Sequence, residues 1–226
     1  MTAEAMIELT DVEFRYGVDF ALSVPNLSIR KGEKVACIGP SGIGKTTLIN
    51  LMTGILVPDR GRVLLNGVDV AQLSDSARRK TRIQTVGMVF QQFELLEYLD
   101  GLENILLPYH LNPALELSRA VKERARKIAN QMGIASVLKR KPKRLSQGER
   151  QRVAISRALV TEAELLIADE PTGNLDPKNS STILDLLFAQ CEERGATLLV
   201  VTHDHSLLPR FDRVIDMVTL SESVVS

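Results

Sequence analysis

Apolar residues recur along this chain in two rhythms. Residues 6–14 alternate in strand fashion, first Ile7 and Leu9, then Val12 and Phe14. Residues 62–66 form a short apolar run closed by the turn pair Asn66 and Gly67. Between them, residues 35–39 (VACIG) are apolar throughout and stop at a glycine. A run apolar on both faces predicts a buried parallel strand. Three more segments read the same way: 86–90 (VGMVF), 165–169 (LLIAD) and 198–202 (LLVVT). Helical periodicity separates them, over 45–54, 116–132, 148–160 and 177–194, the last ended by Gly195. Strands alternating with helices predict a doubly wound α/β core. The stretch from about 92 to 157 is mostly helical with no strand run, so it reads as a helical lobe inserted in that core.

Length and charge narrow the possibilities. A chain of 226 residues is one domain, or one domain with an inserted lobe. Such a chain buries roughly 70% of its unfolded surface and needs no disulfides. Twenty-eight Lys and Arg balance 28 Asp and Glu, so there is no general basic footprint and no nucleic acid is expected. Cys37 and Cys191 are too few for a disulfide scaffold, and reduced thiols fit best. The start, MTAEAMIELTD, lacks the basic and apolar regions of a signal peptide. The longest apolar runs are strand-sized, too short to span a bilayer. The N-x-S patterns at Asn26 and Asn179 read as chance matches.

Candidate chemistry begins after the strand at 35–39. GPSGIGKT at 39–46 matches G-x-x-x-x-G-K-[ST], between an apolar strand and a helix. By composition alone that match arises well below about 1 in 10,000 positions. Glycines let backbone N–H groups turn inward around phosphate oxygens, and the helix N-terminus adds partial positive charge. The candidate nucleotide-binding residues are therefore Gly39, Pro40, Ser41, Gly42, Ile43, Gly44, Lys45 and Thr46, with Thr47 adjoining. Lys45 offers a full charge to the β- and γ-phosphates, and the Thr46 hydroxyl is placed to ligate Mg²⁺. The strand at 165–169 ends in Asp169 and Glu170, whose side chains point differently. Asp169 suits Mg²⁺, and Glu170 suits the attacking water.

LSQGE at 145–149 precedes another helix. Ser146 and Glu149 have the spacing of a capping box. Ser146, Gly148 and a helix N-terminus also make a second anion cradle. A single nucleotide site does not obviously need both cradles.

LSQGERQRVAISRAL followed by LLIADEPTGNLD resembles the ATP-binding subunit of an ABC transporter, and the resemblance runs from about Ile7 to about Ile215. It implies a P-loop NTPase with a mostly parallel core sheet, an N-terminal antiparallel β subdomain and an inserted α-helical subdomain. The core then comprises about 1–91 and 158–226, and the helical subdomain about 92–157. Ser146, Gln147, Gly148 and Glu149 stand at the family's signature, which reads the ATP of the other subunit; Gln147 replaces the usual glycine. The resemblance further makes Tyr16 the adenine-stacking aromatic, and Gln91 the glutamine that reaches Mg²⁺ and the attacking water. It places Asp176 in the loop that crosses the dimer interface, His203 as the switch histidine at the γ-phosphate, and Glu103 near the membrane partner. In the run His203-Asp204-His205 the two histidines, at i and i+2, share a face, but a metal site there is disfavoured because no third ligand is apparent.

The strings ADEPTGNLD and VFQQF, with ENI before Pro108, look like one subgroup: the lipoprotein-release, macrolide-export and cell-division ATPases (LolD, MacB and FtsE types). The implied function is an ATP-hydrolysing homodimer that closes around two Mg²⁺-ATP and drives a separate membrane permease. Its implied location is cytoplasmic, peripheral on the inner face of the membrane through that permease. A soluble non-transport ABC ATPase and an ATP-dependent regulatory module are the alternatives. The C-terminal DMVTLSESVVS departs from the pattern, lacking a glycine-bearing last turn. The basic runs 78–80 and 139–144 read as solvated faces.

Overall fold

The computed structural model describes residues 4–17, 20–171 and 177–222, without the side chains of 177–179 and 221–222. Strands β1 (Ala5–Tyr16) and β2 (Phe20–Arg30) pair antiparallel, with Val12 opposite Val24 and Phe14 opposite Leu22. The chain then crosses into β3 (Lys34–Ile38), which runs directly to the glycine-rich loop and helix α1 (Lys45–Met52). Strands β4 (Arg60–Leu65) and β5 (Val68–Asp69) return to the first sheet, giving the order β2-β1-β4-β5. The turn between them is the Asn66 and Gly67 pair, both at positive φ.

Helix α2 (Asp75–Thr85) feeds β6 (Val86–Val89). No strand follows among the described residues until β7 (Leu165–Asp169). The interval holds α3 (Gly101–Leu111), α4 (Arg119–Gln131) and α5 (Gln147–Leu159). Helix α6 (Pro177–Arg194), β8 (Thr197–Val201), β9 (Arg213–Asp216) and α7 (Met217–Glu222) complete the chain. The second sheet has the order β6-β7-β8-β3-β9, all parallel.

Alternation along the parallel strands divides the apolar interior in two. Val35, Cys37, Ile167 and Val201 face α1 and the antiparallel sheet. Ala36, Ala168, Leu198 and Val200 face α6 and the strand-free helices. Both faces are covered, which is why these strands read as unbroken apolar runs. Each fully buried Leu, Ile or Val contributes roughly 1.5–3 kcal/mol relative to exposure. Gly87 on β6 lets α5 approach the sheet: a Cβ there would lie 2.4 Å from the Ala158 carbonyl oxygen.

Among the described elements, β2, β5, α2, α3, β9 and α7 match no individual range in the sequence reading. β2 contains Pro25, which obscures its alternation. α2 is almost wholly polar, with Thr85 its buried residue, so no apolar stripe marks it. β9 and α7 are only four and six residues long.

Candidate functional site

The parallel strands end on one side of the sheet, and their following turns converge there. The loop after β3 needs left-handed backbone at Gly39, Gly42 and Gly44 (φ 149°, 81° and 107°). Gly44 is also the N-cap of α1 and gives the helix no side-chain cap. The first N–H groups of α1 therefore keep their capacity to bind an anion. A side chain at Gly44 would meet the Phe20 ring at 2.8 Å. Lys45 bends back over the loop, where its Nζ donates to the carbonyls of Gly39 (2.7 Å) and Pro40 (2.9 Å).

A cavity of about 520 Å³ opens above this loop. Gly39, Ser41, Gly42, Gly44, Lys45, Thr46 and Thr47 line it, with Tyr16, Phe20, Gln91, Asp169, Glu170 and His203. Pro40 contributes its carbonyl to Lys45, and Ile43 packs its side chain against the core. Tyr16 is half-exposed at the rim, its ring edge-on to Phe14 at 4.7 Å and tilted against Phe20 at 5.9 Å. That arrangement leaves an aromatic surface to stack on a planar base. Phe20 was not anticipated. The alternation of Phe20, Leu22 and Val24 carried the signal for it.

Glu170 leaves β7 at φ 47°, a strained position for a non-glycine residue, and its N–H donates to the Val201 carbonyl at 2.9 Å. Its Oε2 is buried and accepts no hydrogen bond, while His203 Nδ1 lies 2.8 Å away. The imidazole side chain is 70% exposed and the carboxylate side chain 12%. Thr202 fixes the turn beneath His203: its N–H donates to the Cys37 carbonyl, and its Oγ1 accepts from the Asp204 N–H. Burial pushes the Asp169 carboxyl above the usual carboxylate range, Glu170 adds to the push, and Lys45 opposes it. A cation beside Asp169 would relieve that penalty. With Thr46 and Gln91 lining the same cavity, the oxygen donors suit Mg²⁺. Beneath the loop, burial pushes the Cys37 thiol up to about 12, so it stays protonated and inert.

The residues 146–149 lie elsewhere. Ser146 Oγ accepts from the Glu149 N–H (3.3 Å), and Glu149 Oε2 accepts from the Ser146 N–H (2.7 Å), completing the expected capping box of α5. These bonds hold the Glu149 carboxyl below its usual range. None of the four lines the cavity of the chain's own loop. Gln147 is exposed and Gly148 partly so. Asp176 falls outside the described residues.

Glu103 serves the capping box of α3 with Asp100 and remains exposed. Arg79 pairs with Asp75 on a solvated face, as expected, but Arg78 does not share it: its side chain is only 16% exposed, and besides pairing with Asp75 it donates to the Leu73 carbonyl. The cations at 139–144 are exposed. Among the described residues no group of three or more His, Cys, Asp and Glu is placed to hold a metal, and no helix is long and apolar enough to cross a membrane.

A second cavity, about 420 Å³, lies between α2, β6, α3 and α5, with Phe90, Glu94, Leu107, Pro108, Leu111 and Arg157 among its walls. Arg157 is buried, and its guanidinium donates to the carbonyls of Phe93 and Glu94. It too was not anticipated, since one arginine in a basic helix carries no local signal.

A strand, glycine-rich loop and helix beside a β7 carboxylate pair define the P-loop nucleoside triphosphatase class. The match goes further than class. The ABC transporter family profile covers residues 22–173. The chain is 43% identical over 219 residues to the lipoprotein-releasing system ATP-binding protein LolD of Syntrophotalea carbinolica, spanning 94% of this chain and 95% of that protein. It is 40% identical over 208 residues to LolD 2 of Caulobacter vibrioides, spanning 92% and 87%. Among solved structures it is similar to the dimeric, post-hydrolysis ATP-binding cassette MJ0796 bound to ADP and Pi (TM-score 0.83, 34% identity, 93% and 94% coverage). It is likewise similar to cbiO1 from Clostridium perfringens, part of an ABC transporter complex (TM-score 0.83, 29% identity, 94% and 84% coverage). The chain belongs to the ABC transporter family.

Proposed function

We propose that this chain is the ATP-hydrolysing subunit of a lipoprotein-release-type ABC transporter, working as a head-to-tail homodimer around two ATP molecules. One observation carries the reading: a single cavity gathers the glycine-rich loop, Asp169, Glu170, His203, Gln91 and Tyr16. The similarity to LolD proteins supports the subgroup, and the similarity to the dimeric MJ0796 cassette supports the assembly.

Tyr16 stacks on the adenine, and the loop with Lys45 holds the phosphates. Thr46, Asp169 and Gln91 would hold Mg²⁺, which supplies charge neutralisation on the triphosphate. Glu170 accepts the proton of the attacking water, and His203 hydrogen-bonds the γ-phosphate. Ser146 and Gly148 face the γ-phosphate held by the partner subunit, with Gln147 and Glu149 beside them and Asp176 crossing the interface. ATP then favours the closed dimer, and hydrolysis removes that preference. Residues 92–157 form a helical subdomain, and its 92–110 region, including Glu103, meets the permease. The cavity between α2, β6, α3 and α5 is the natural seat for a cytoplasmic segment of that permease, because its walls include Glu94 beside Gln91 and Arg157 on the signature helix. The chain is thereby peripheral on the cytoplasmic face of the membrane.

The test is the mass in solution of Glu170→Gln, measured by light scattering with and without Mg²⁺-ATP. The expected outcome is a monomer that becomes a dimer only with nucleotide. A variant that binds ATP and remains monomeric rejects the mechanism for the isolated chain.

A further inference from the structure

Helix α5 carries Ser146 and Gly148 at its N-terminal end and Arg157 about 15 Å further along, at 1.5 Å per residue. Arg157 is 8% exposed. Its two terminal nitrogens donate to consecutive carbonyls, Nη2 to Phe93 at 2.6 Å and Nη1 to Glu94 at 2.5 Å. Those two acceptors stand at φ 62° and 47°. Non-glycine residues hold such angles only where the surroundings impose them. The turn has two internal bonds, Phe93 N–H to the Phe90 carbonyl and Glu94 N–H to the Gln92 carbonyl. Gln91 sits inside it, at the edge of the ATP cavity.

The planar guanidinium fork suits two neighbouring carbonyls; an ammonium on a flexible stem does not. Its hydrogen-bond partners are two carbonyl dipoles, and the Glu94 carboxylate adds a favourable charge nearby. Burial lowers its pKa, a penalty that a mere surface anchor would avoid.

We propose that Arg157 is a positioning residue for hydrolysis. By clamping the left-handed pair Phe93 and Glu94, it holds Gln91 in register with the helix that presents Ser146 and Gly148. Movement of the signature helix is thereby movement of Gln91. Arg157 and Glu94 also line the cavity between α2 and α3, so a segment seated there touches the clamp directly. The inference rests on the roles proposed above for Gln91 and the signature residues.

The experiment compares Arg157→Gln, Arg157→Lys, and Arg157→Gln combined with Phe93→Gly and Glu94→Gly. Three quantities are read: ATP Kd, single-turnover hydrolysis of Mg²⁺-ATP, and hydrogen exchange of the 92–95 amides. Both single variants are expected to lose about 10- to 100-fold in hydrolysis, as a misplaced positioning group does, with Kd within about threefold. Exchange at 92–95 should quicken while β3 and β7 stay protected. Glycine at 93 and 94 accepts positive φ without strain, so the triple variant should regain much of the lost rate. A merely structural arginine would give no such rescue. Unchanged exchange at 92–95 in Arg157→Lys overturns the proposal, as does hydrolysis lost only in proportion to thermal stability. If the wild type hydrolyses nothing, the proposed function fails, while the exchange measurement still decides the clamp. If Arg157→Gln does not fold, exchange and hydrolysis in the Lys variant decide the clamp by themselves.

Discussion

His203 Nδ1 lies 2.8 Å from Glu170 Oε2, one group open to solvent and the other beneath it in the cavity wall. The imidazole side chain is 70% exposed and packs little of its surface into the fold. Removing the imidazole therefore costs the fold little, and its loss should appear in the chemistry. His203→Ala is expected to lower the rate of hydrolysis by about 100-fold or more, within the range of a lost transition-state hydrogen bond. ATP affinity should change little. Phosphate-release kinetics beside equilibrium nucleotide binding checks both, and an equal loss in each would count against a role in the reaction.

Ser146 caps α5, and in the proposed dimer it also faces a phosphate, so the two tasks can be separated. Ser146→Ala removes the cap and should cost about 1 kcal/mol of stability. Ser146→Asp keeps a good cap but places a carboxylate toward the γ-phosphate. The aspartate variant should melt near the wild-type temperature and yet fail to dimerise with ATP. Calorimetry beside light scattering separates the two effects. Dimerisation that survives in the aspartate variant would place Ser146 away from the partner's nucleotide.

Asp169 is held above its ordinary carboxylate range, chiefly by burial. An acid with a raised folded pKa binds more protons in the native state than in the unfolded one. Its contribution to stability is then most favourable below the unfolded pKa, near 4. It declines as pH rises toward the folded pKa. At neutral pH the charge is a burden on the fold. Asp169→Asn is expected to raise the melting temperature at pH 7 and to narrow that advantage at acid pH, while abolishing Mg²⁺-dependent hydrolysis. Melting curves across pH 4–8 test the sign.

Gly87 places β6 against the carbonyl of Ala158 near the end of α5, where a Cβ would lie at 2.4 Å. The obstacle is backbone, so it does not yield as a flexible side chain would. Gly87→Ala is expected to destabilise by about 1–3 kcal/mol, the usual cost of overpacking. For a chain of this size that is roughly 2–4 °C per kcal/mol in melting temperature. Thermal unfolding measures it, and a neutral result would mean that α5 is free to stand off the sheet.

The site was legible to the extent that it is local. Gly39 to Thr46 are one contiguous stretch between β3 and the start of α1, and the capping box of Ser146 and Glu149 spans four residues. The buried strands were legible because both faces are apolar. What escaped depends on distance in the chain. Phe20 matters through the backbone of Gly44, and Arg157 through carbonyls more than 60 positions away. A backbone acceptor leaves no residue type to read. Helix α2 escaped for another reason: its long cationic side chains do the packing, which hydrophobic periodicity does not register.

Ser146 and Gly148 stand outside the cavity that the same chain's loop lines, and in the proposed dimer that separation has a genetic consequence. A chain with an intact loop and a ruined signature can still take a sound chain as its partner. It then supplies one complete site and one defective site, and machines that need both are lost. In a cell holding equal amounts of the two chains, random pairing leaves only about a quarter of dimers wholly sound. Damage at the start of α5 is therefore expected to behave as dominant negative, whereas a chain that fails to fold is simply missing.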